Sequence, residues 1–306
     1  MRVEFGSKGS GPVNWPRISI VTPAYRAART LEATLRSVFD QGYPELEFIL
    51  MDGGCDDETA EIAHQYGEHI TEWVRGPDDG QYHAIADGFG RAKGDVFFWL
   101  NADDVLLPGA LWAVGEIFAT FTKVAWLTTL RPAQINARGG LMDVGHAKGF
   151  AKAAFLDGFY LGGSSPAARW IQQESTFFRA SLWAAAGPAL TRYALAGDFA
   201  LWCEMYRHAE LHGCTHPLGA FRVLSGQRSE AIDIYTSEAH QALTDLRTDL
   251  GWRPNVLRLA GQAASRSGAL PFRSTRAFGY EGSRLTDGDP KSANGVWRCE
   301  RYRFIP

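Results

Sequence analysis

The sequence predicts an α/β fold, a mostly parallel central sheet flanked by helices, on three observations. Apolar runs of strand length recur at 18–22, 46–51, 69–74 and 95–100. Segments of helical periodicity fill the intervals between them. Each of three runs also ends in polar or acidic residues, at Thr22, Asp52 and Asn101.

The elements follow in order. Residues 1–16 are rich in Gly, Ser and Pro, lack periodicity and read as a flexible lead-in. Between the first and second runs, Leu31, Leu35, Val38 and Phe39 fall on one helical face, and Ile62, Ala63 and Tyr66 repeat that device before the third. The longest apolar stretch, 110–130, is broken by Gly115, Glu116 and Lys123, so it fails as a membrane span and reads as a buried helix followed by a strand. Residues 139–163 are rich in Gly and Ala, while 172–178 and 200–206 mix aromatics with acids and amides. The expected organisation is one domain over 17–230, with halves 17–105 and 106–230 on a shared core. Residues 231–306 follow as an extension, helical to Leu250 and irregular beyond it.

At 306 residues the chain can bury a core without disulfides or metals. A net charge of −3 gives no electrostatic case for nucleic acid. Cys55, Cys203, Cys214 and Cys299 are scattered, with no C-x-x-C pair and no secretory leader, which fits free thiols in the cytoplasm. Arginines among apolar residues at 257–278 suit either a solvated face or peripheral contact with the inner face of a membrane.

In parallel sheets, ligands bind beyond the carboxyl ends of the strands, where helix N-termini present free N–H groups. After the first run comes Thr22-Pro23-Ala24-Tyr25, either a strand terminator or a polar turn beside an aromatic ring. After the second, Asp52 is followed by Gly53 and Gly54, which allow close backbone approach, while Asp57 and Thr59 suit helix capping. After the fourth, Asn101-Ala102-Asp103-Asp104 brings carboxylates to the sheet edge. Such acids suit a hard divalent cation beside phosphates, or a helix cap before Pro108.

Together these segments resemble the family 2 glycosyltransferases with the GT-A fold, over about residues 17–230. Leu100 to Asp104 reads L-N-A-D-D, as in one branch of that family, where Asn replaces the first acid of D-x-D. Pro77-Asp78-Asp79-Gly80-Gln81 resembles its P-D-x-G-Q segment, Gln173-Glu174-Ser175-Thr176-Phe177-Phe178-Arg179 its Q-E-x-T-F-F-R segment, and Gly197-Asp198-Phe199-Ala200-Leu201-Trp202 its G-D-F-x-L-W stretch.

The resemblance implies a GT-A fold with a Rossmann-like nucleotide-binding half and an acceptor-binding half. It implies inverting transfer from a nucleotide sugar, UDP-linked in preference to GDP- or dTDP-linked, to a glycan or lipid-linked acceptor in bacterial surface polysaccharide synthesis. Thr22, Pro23, Ala24, Tyr25, Asp52, Asp78, Asn101, Ala102 and Asp103 are then the nucleotide-sugar-binding residues. Asp103 is the implied ligand of Mn²⁺ or Mg²⁺, Asp104, Gln173, Glu174 and Trp202 line the acceptor or donor-sugar side, and Asp198 is the general base. Asp198 also suits a helix N-cap.

Two segments depart from the family pattern. His83, Ala86 and Asp87 stand where Asp, Asn and Lys are usual, and Leu224 replaces the His of F-R-x-H. These losses keep open a nucleotide-sugar-binding protein without catalysis. A nucleotidyltransferase fits less well because residues 22–30 contain no glycine, and no G-x-G-x-x-G follows any strand to suggest a dehydrogenase.

Overall fold

The computed structural model describes residues 14–161, 170–267, 277–287 and 296–306. Strand β1 (Ile18–Ala24) leads through helix α1 (Leu31–Phe39) to β2 (Leu46–Asp52), α2 (Thr59–Gln65), β3 (Glu72–Arg75), α3 (Gln81–Arg91) and β4 (Val96–Trp99). The chain continues through β5 (Val105–Leu106), α4 (Ala110–Thr120), β6 (Trp126–Thr129), β7 (Ala133–Ile135), β8 (Leu141–Val144) and α5 (Lys152–Leu156). Next come β9 (Phe177–Arg179), α6 (Ala180–Ala186), α7 (Gly197–His208), β10 (Leu211–Cys214), β11 (Gly219–Arg222) and α8 (Ile232–Asp249), then α9 (Val256–Arg266), β12 (Tyr280–Asp287) and β13 (Trp297–Phe304).

A nine-stranded sheet runs in the order β13-β12-β10-β6-β9-β4-β1-β2-β3. The pairs β4-β1, β1-β2, β2-β3, β6-β10 and β10-β12 are parallel. Four short strands, β5-β11-β7-β8, form a second sheet beside the carboxyl end of β4.

The central strands are apolar on both faces because helices cover both. Alternate residues therefore feed two cores: Ile18, Ile20, Phe48, Leu50 and Phe98 enter one, and Val21, Ile49, Met51, Phe97 and Trp99 the other. Helix α3 lies so close to β1 that a Cβ on Gly88 would sit 2.5 Å from Val21 Cγ1. That contact fixes where the first turn of α3 meets the strand ends.

The four predicted strands coincide with β1 to β4, and the 110–130 stretch is α4 followed by β6. Two features differ from the sequence reading. Strand β9 lies antiparallel between β4 and β6, joining the parallel groups across one continuous sheet. Beyond Leu250, where irregular chain was expected, α9 and the antiparallel β12-β13 hairpin form, and β12 extends the sheet beside β10. The hairpin has a weak sequence signal because only Tyr280, Gly282, Leu285, Trp297 and Phe304 are buried, while most of the other positions are charged.

The four cysteines are free. Among the described residues, no helix is long and apolar enough to cross a membrane. Of the 257–278 segment, residues 268–276 lie outside the described residues.

Candidate active site

The site is assembled where β1, β2 and β4 end, against the first turns of α3 and α7. Asp52, 2% exposed, accepts hydrogen bonds at Oδ1 from the backbone N–H groups of Gly54 (3.0 Å) and Cys55 (2.9 Å). Its Oδ2 lies 3.3 Å from Arg75 Nε without a hydrogen bond, and the buried Thr22 hydroxyl likewise has none.

Beside them is a slot floored by glycine. A Cβ on Gly53 would stand 3.1 Å from Asp78 Oδ2 and 3.3 Å from Tyr25 Cδ2, so these two side chains converge over bare backbone. Tyr25 is 66% exposed, with the Arg26 guanidinium 5.4 Å from its ring centroid. Arg26 is in turn fixed by two 2.8 Å bonds to Asp56. Pro23 is half-buried and Ala24 buried at the end of β1. Asp57 accepts from Thr59 N–H, consistent with the expected capping role.

The turn after β4 is held by a chain of amides. Arg228 donates to Gln81 Oε1 (2.6 Å), Gln81 to Asn101 Oδ1 (2.6 Å), Asn101 to Gln173 Oε1 (2.9 Å), and Gln173 to the Trp99 carbonyl (2.5 Å). Asn101 thus serves as a hub with both amide atoms engaged, a role an aspartate could not fill because it lacks the N–H donor. Ala102 is buried, and the Thr34 hydroxyl donates to the Asp104 carbonyl at 2.7 Å, fixing the turn from below.

The two acids of this turn diverge. Asp103 is half-buried; its Oδ2 accepts from Gln227 (2.7 Å) and its carbonyl from Arg222 Nε (2.6 Å). Asp104 is fully buried and accepts from Arg222 N–H (2.9 Å) and Asn101 (3.2 Å). Burial, with Asp103 and Glu174 nearby, pushes the Asp104 carboxyl well above the usual carboxylate range. Asp104 therefore anchors β11 beneath the site and offers no exposed oxygen, which corrects the expectation that it meets the sugars.

Glu174 is 4% exposed, and its Oε1 has no hydrogen-bond partner among the described residues. Burial pushes its carboxyl up to about 8, and the charges of Asp198 and Asp103 act in the same direction. Asp198, in the first turn of α7, accepts from Phe199 N–H (2.7 Å) at Oδ1 and from the Tyr235 hydroxyl (3.2 Å) at Oδ2. Burial raises it to about 6, while these hydrogen bonds and the Tyr82 hydroxyl pull it down. Asp103, Glu174 and Asp198 are thus one electrostatically connected set of carboxylates.

Trp202 requires a correction. It is 1% exposed and stacks 5.7 Å from both Trp99 and Trp126, so it packs the core behind the site and touches no ligand surface. It lies on the part of α7 that packs against Trp99 of β4 and Trp126 of β6. His83 and Asp87 are exposed on α3.

Gln227, Arg228 and Tyr235 escaped the sequence reading although they hold this constellation, and Arg222 entered it only as part of the F-R-x-H string. The one sequence signal for Gln227 and Arg228 is the polar run Gln227-Arg228-Ser229-Glu230 between β11 and α8.

Among the described residues, no group of three or more His, Cys, Asp or Glu could hold a metal ion. Asp103 nevertheless fits a hard cation that takes one or two protein carboxylates and fills its remaining positions with phosphate and water oxygens. One of its oxygens is oriented by Gln227, which supports the ligand.

The nine-stranded mixed sheet, with its site at the carboxyl ends of β1, β2 and β4, defines a GT-A type fold. Residues 19–139 match the glycosyl transferase family 2 model, and the likeness to that family is carried by this segment. An uncharacterized glycosyltransferase of Nostoc sp. is 31% identical over 107 residues, covering 34% of this chain and 33% of that protein. A PGL/p-HBAD biosynthesis glycosyltransferase of Mycobacterium bovis is 36% identical over 94 residues, covering 30% of this chain and 37% of that protein. The chain thus spans about a third of the length of these relatives.

Two solved structures share the fold. Staphylococcus aureus TarS 1-349 in complex with UDP-GlcNAc superposes with TM-score 0.55 at 13% identity, covering 80% of this chain and 70% of that one. Glucosyl-3-phosphoglycerate synthase from Mycobacterium tuberculosis, in complex with Mn²⁺, UDP and glucosyl-3-phosphoglycerate, gives 0.51 at 14%, covering 76% and 80%.

Proposed function

We propose that this chain is an inverting glycosyltransferase, moving a sugar from a nucleoside diphosphate to a hydroxyl of a glycan or lipid-linked acceptor. The observation that carries the reading is the placement of Asp198. It is a carboxylate near pKa 6, held by donors on both oxygens and electrostatically linked through Glu174 to Asp103 at the rim of β4.

An acceptor hydroxyl is a poor nucleophile until a carboxylate takes its proton during attack, and a pKa near 6 leaves Asp198 ionised at neutral pH. Attack from the face opposite the diphosphate inverts the anomeric centre without a covalent intermediate. The slot of Tyr25, Gly53 and Asp78 would receive the base, and Asp52, ion-paired through Oδ2 with Arg75 at 3.3 Å, would be the acceptor for a base N–H. Asp103 would hold Mn²⁺ or Mg²⁺, which supplies charge neutralisation for the departing diphosphate. Arg228 and the N–H groups opening α3 are further positive partners for it.

A UDP-sugar donor is favoured, because two proteins of this fold are known with UDP or a UDP-sugar bound. The likeness to a PGL/p-HBAD biosynthesis glycosyltransferase supports a biosynthetic role for this sugar transfer, which we place in bacterial surface polysaccharide synthesis.

The test is incubation with UDP-, GDP- and dTDP-sugars and Mn²⁺, scoring release of nucleoside diphosphate and the anomeric configuration of the product by NMR. Turnover with inversion supports the reading. Metal-dependent UDP binding without hydrolysis or transfer would replace it with a binding role, motivated by Ala86 and Leu224.

A further inference from the structure

Helix α8 grips the base-bearing loop at two points one turn apart. Tyr235 donates its hydroxyl to Asp198 Oδ2 at 3.2 Å. Three residues on, Glu238 Oε2 accepts from the N–H groups of Leu195 and Ala196, both at 2.8 Å. Helix α7 has no side-chain cap of its own, since Ala196 stands at its N-cap. Glu238 therefore holds, from another helix, the N–H groups at and just before the N-cap of α7.

Tyr82 also approaches Asp198, but its role differs. A phenol has one proton to donate. The Tyr82 hydroxyl lies 2.7 Å from the Leu195 carbonyl and 3.4 Å from Asp198 Oδ1, so that proton is committed to the loop. Among the described residues Tyr235 has no competing acceptor, and its ring is braced edge-on by Trp170 at 5.2 Å.

We propose that Tyr235 and Glu238 are positioning residues for the reaction, α8 holding the Asp198 carboxylate in its ionised, aimed form. The inference rests on the reading of Asp198 as general base. With Phe199 N–H on Oδ1 and Tyr235 on Oδ2, each oxygen is steered by one donor and keeps lone-pair capacity for an incoming hydroxyl. The titratable and charged groups around this carboxylate are Glu174 across the site, Tyr82 on α3, Arg228 over the Tyr82 ring, Cys203 on α7, and Tyr235 and Glu238 on α8.

The sign of the effect follows from donor chemistry. A hydroxyl donating to a carboxylate favours its charged form, so removing the donor raises the pKa at which the base becomes competent. In Tyr235→Phe, the acidic limb of the kcat/KM profile should move about 0.5–1 pH unit toward alkaline pH. The kcat at pH 6.5 should fall about 10-fold, with UDP affinity by calorimetry unchanged. Tyr82→Phe, which removes only the longer 3.4 Å contact to that carboxylate, should move the limb in the same direction by clearly less. Glu238→Gln should lower kcat without moving the donor KM.

An unshifted limb in Tyr235→Phe overturns the proposal, as does an equal shift in Tyr82→Phe. If Tyr235→Phe fails to bind UDP, Glu238→Gln decides by the split between kcat and KM, an unchanged kcat overturning the idea. Asp198→Asn run in parallel separates the two levels. Retained turnover there removes the general-base reading itself, whereas loss of turnover beside an unshifted Tyr235→Phe limb removes only the role of α8.

Discussion

Gln227 donates its side-chain amide to Asp103 Oδ2 at 2.7 Å across 124 residues of chain, and the same amide nitrogen lies 2.8 Å from the Arg222 carbonyl. The orientation of the one carboxylate suited to a cation is therefore set by the loop after β11. Asp103→Ala should abolish the Mn²⁺ dependence of UDP binding, and Gln227→Leu should weaken it by about 10-fold by freeing the ligand rather than deleting it. Titration calorimetry with and without Mn²⁺ reads both, and unchanged metal dependence in Asp103→Ala would remove the assignment.

Asp198→Asn keeps the shape of the side chain and removes its capacity to take a proton. Turnover should fall by about 10²-fold or more with nucleotide affinity nearly intact. Steady-state kinetics beside UDP calorimetry makes the distinction, since equal losses in both would point to a folding or binding defect.

Glu174 connects catalysis to stability. Its carboxyl, ordinarily near 4.5, stands at about 8 in the folded chain. The native state therefore holds a proton that the unfolded state gives up between those values. The stabilisation from this group is complete below about 4.5 and is lost as pH rises through about 8. Glu174→Gln mimics the neutral form, so its melting temperature should fall less than the parent's between pH 5 and 8. Scanning calorimetry across that range gives the comparison, and parallel curves would contradict the burial argument.

Gly53 tests the base slot without disturbing the core. Its backbone is not in the left-handed region, so the obstacle to a side chain is contact with Asp78 and Tyr25 alone. Gly53→Val should lower UDP affinity by at least about 10-fold, because its branched Cβ fills the space between those groups. A melting temperature close to the parent's, with UDP binding lost, is the expected pair of results.

Much of the donor half was legible in the sequence. Strands β1, β2 and β4 are covered by helices on both faces, which leaves continuous apolar runs, and each run stops at a polar residue, Thr22, Asp52 or Asn101, near the strand's carboxyl end. Strand β9 was not legible as the antiparallel link, because three residues carry no directional pattern and its neighbours lie about 50 to 80 residues upstream. Trp202 was misread for a related reason. Its string matches a site motif, but the face it occupies on α7 is decided by packing against Trp99 and Trp126. Tyr235 and Glu238 lie in a helix with an ordinary polar surface, and their function comes from where α8 lands.

The reversed strand at the centre of the sheet also bears on how the gene could be cut. A fragment ending at residue 139, where the family match stops, would leave β4 and β6 without the segment that bridges them and would strip Phe98 of its stacking partner Phe177, 4.0 Å away. Two raw edges would then face each other across an empty lane. The segment that matches the family model thus lacks the strand that joins the two halves of its sheet, and any truncation meant to isolate the donor pocket should retain the stretch through Arg179.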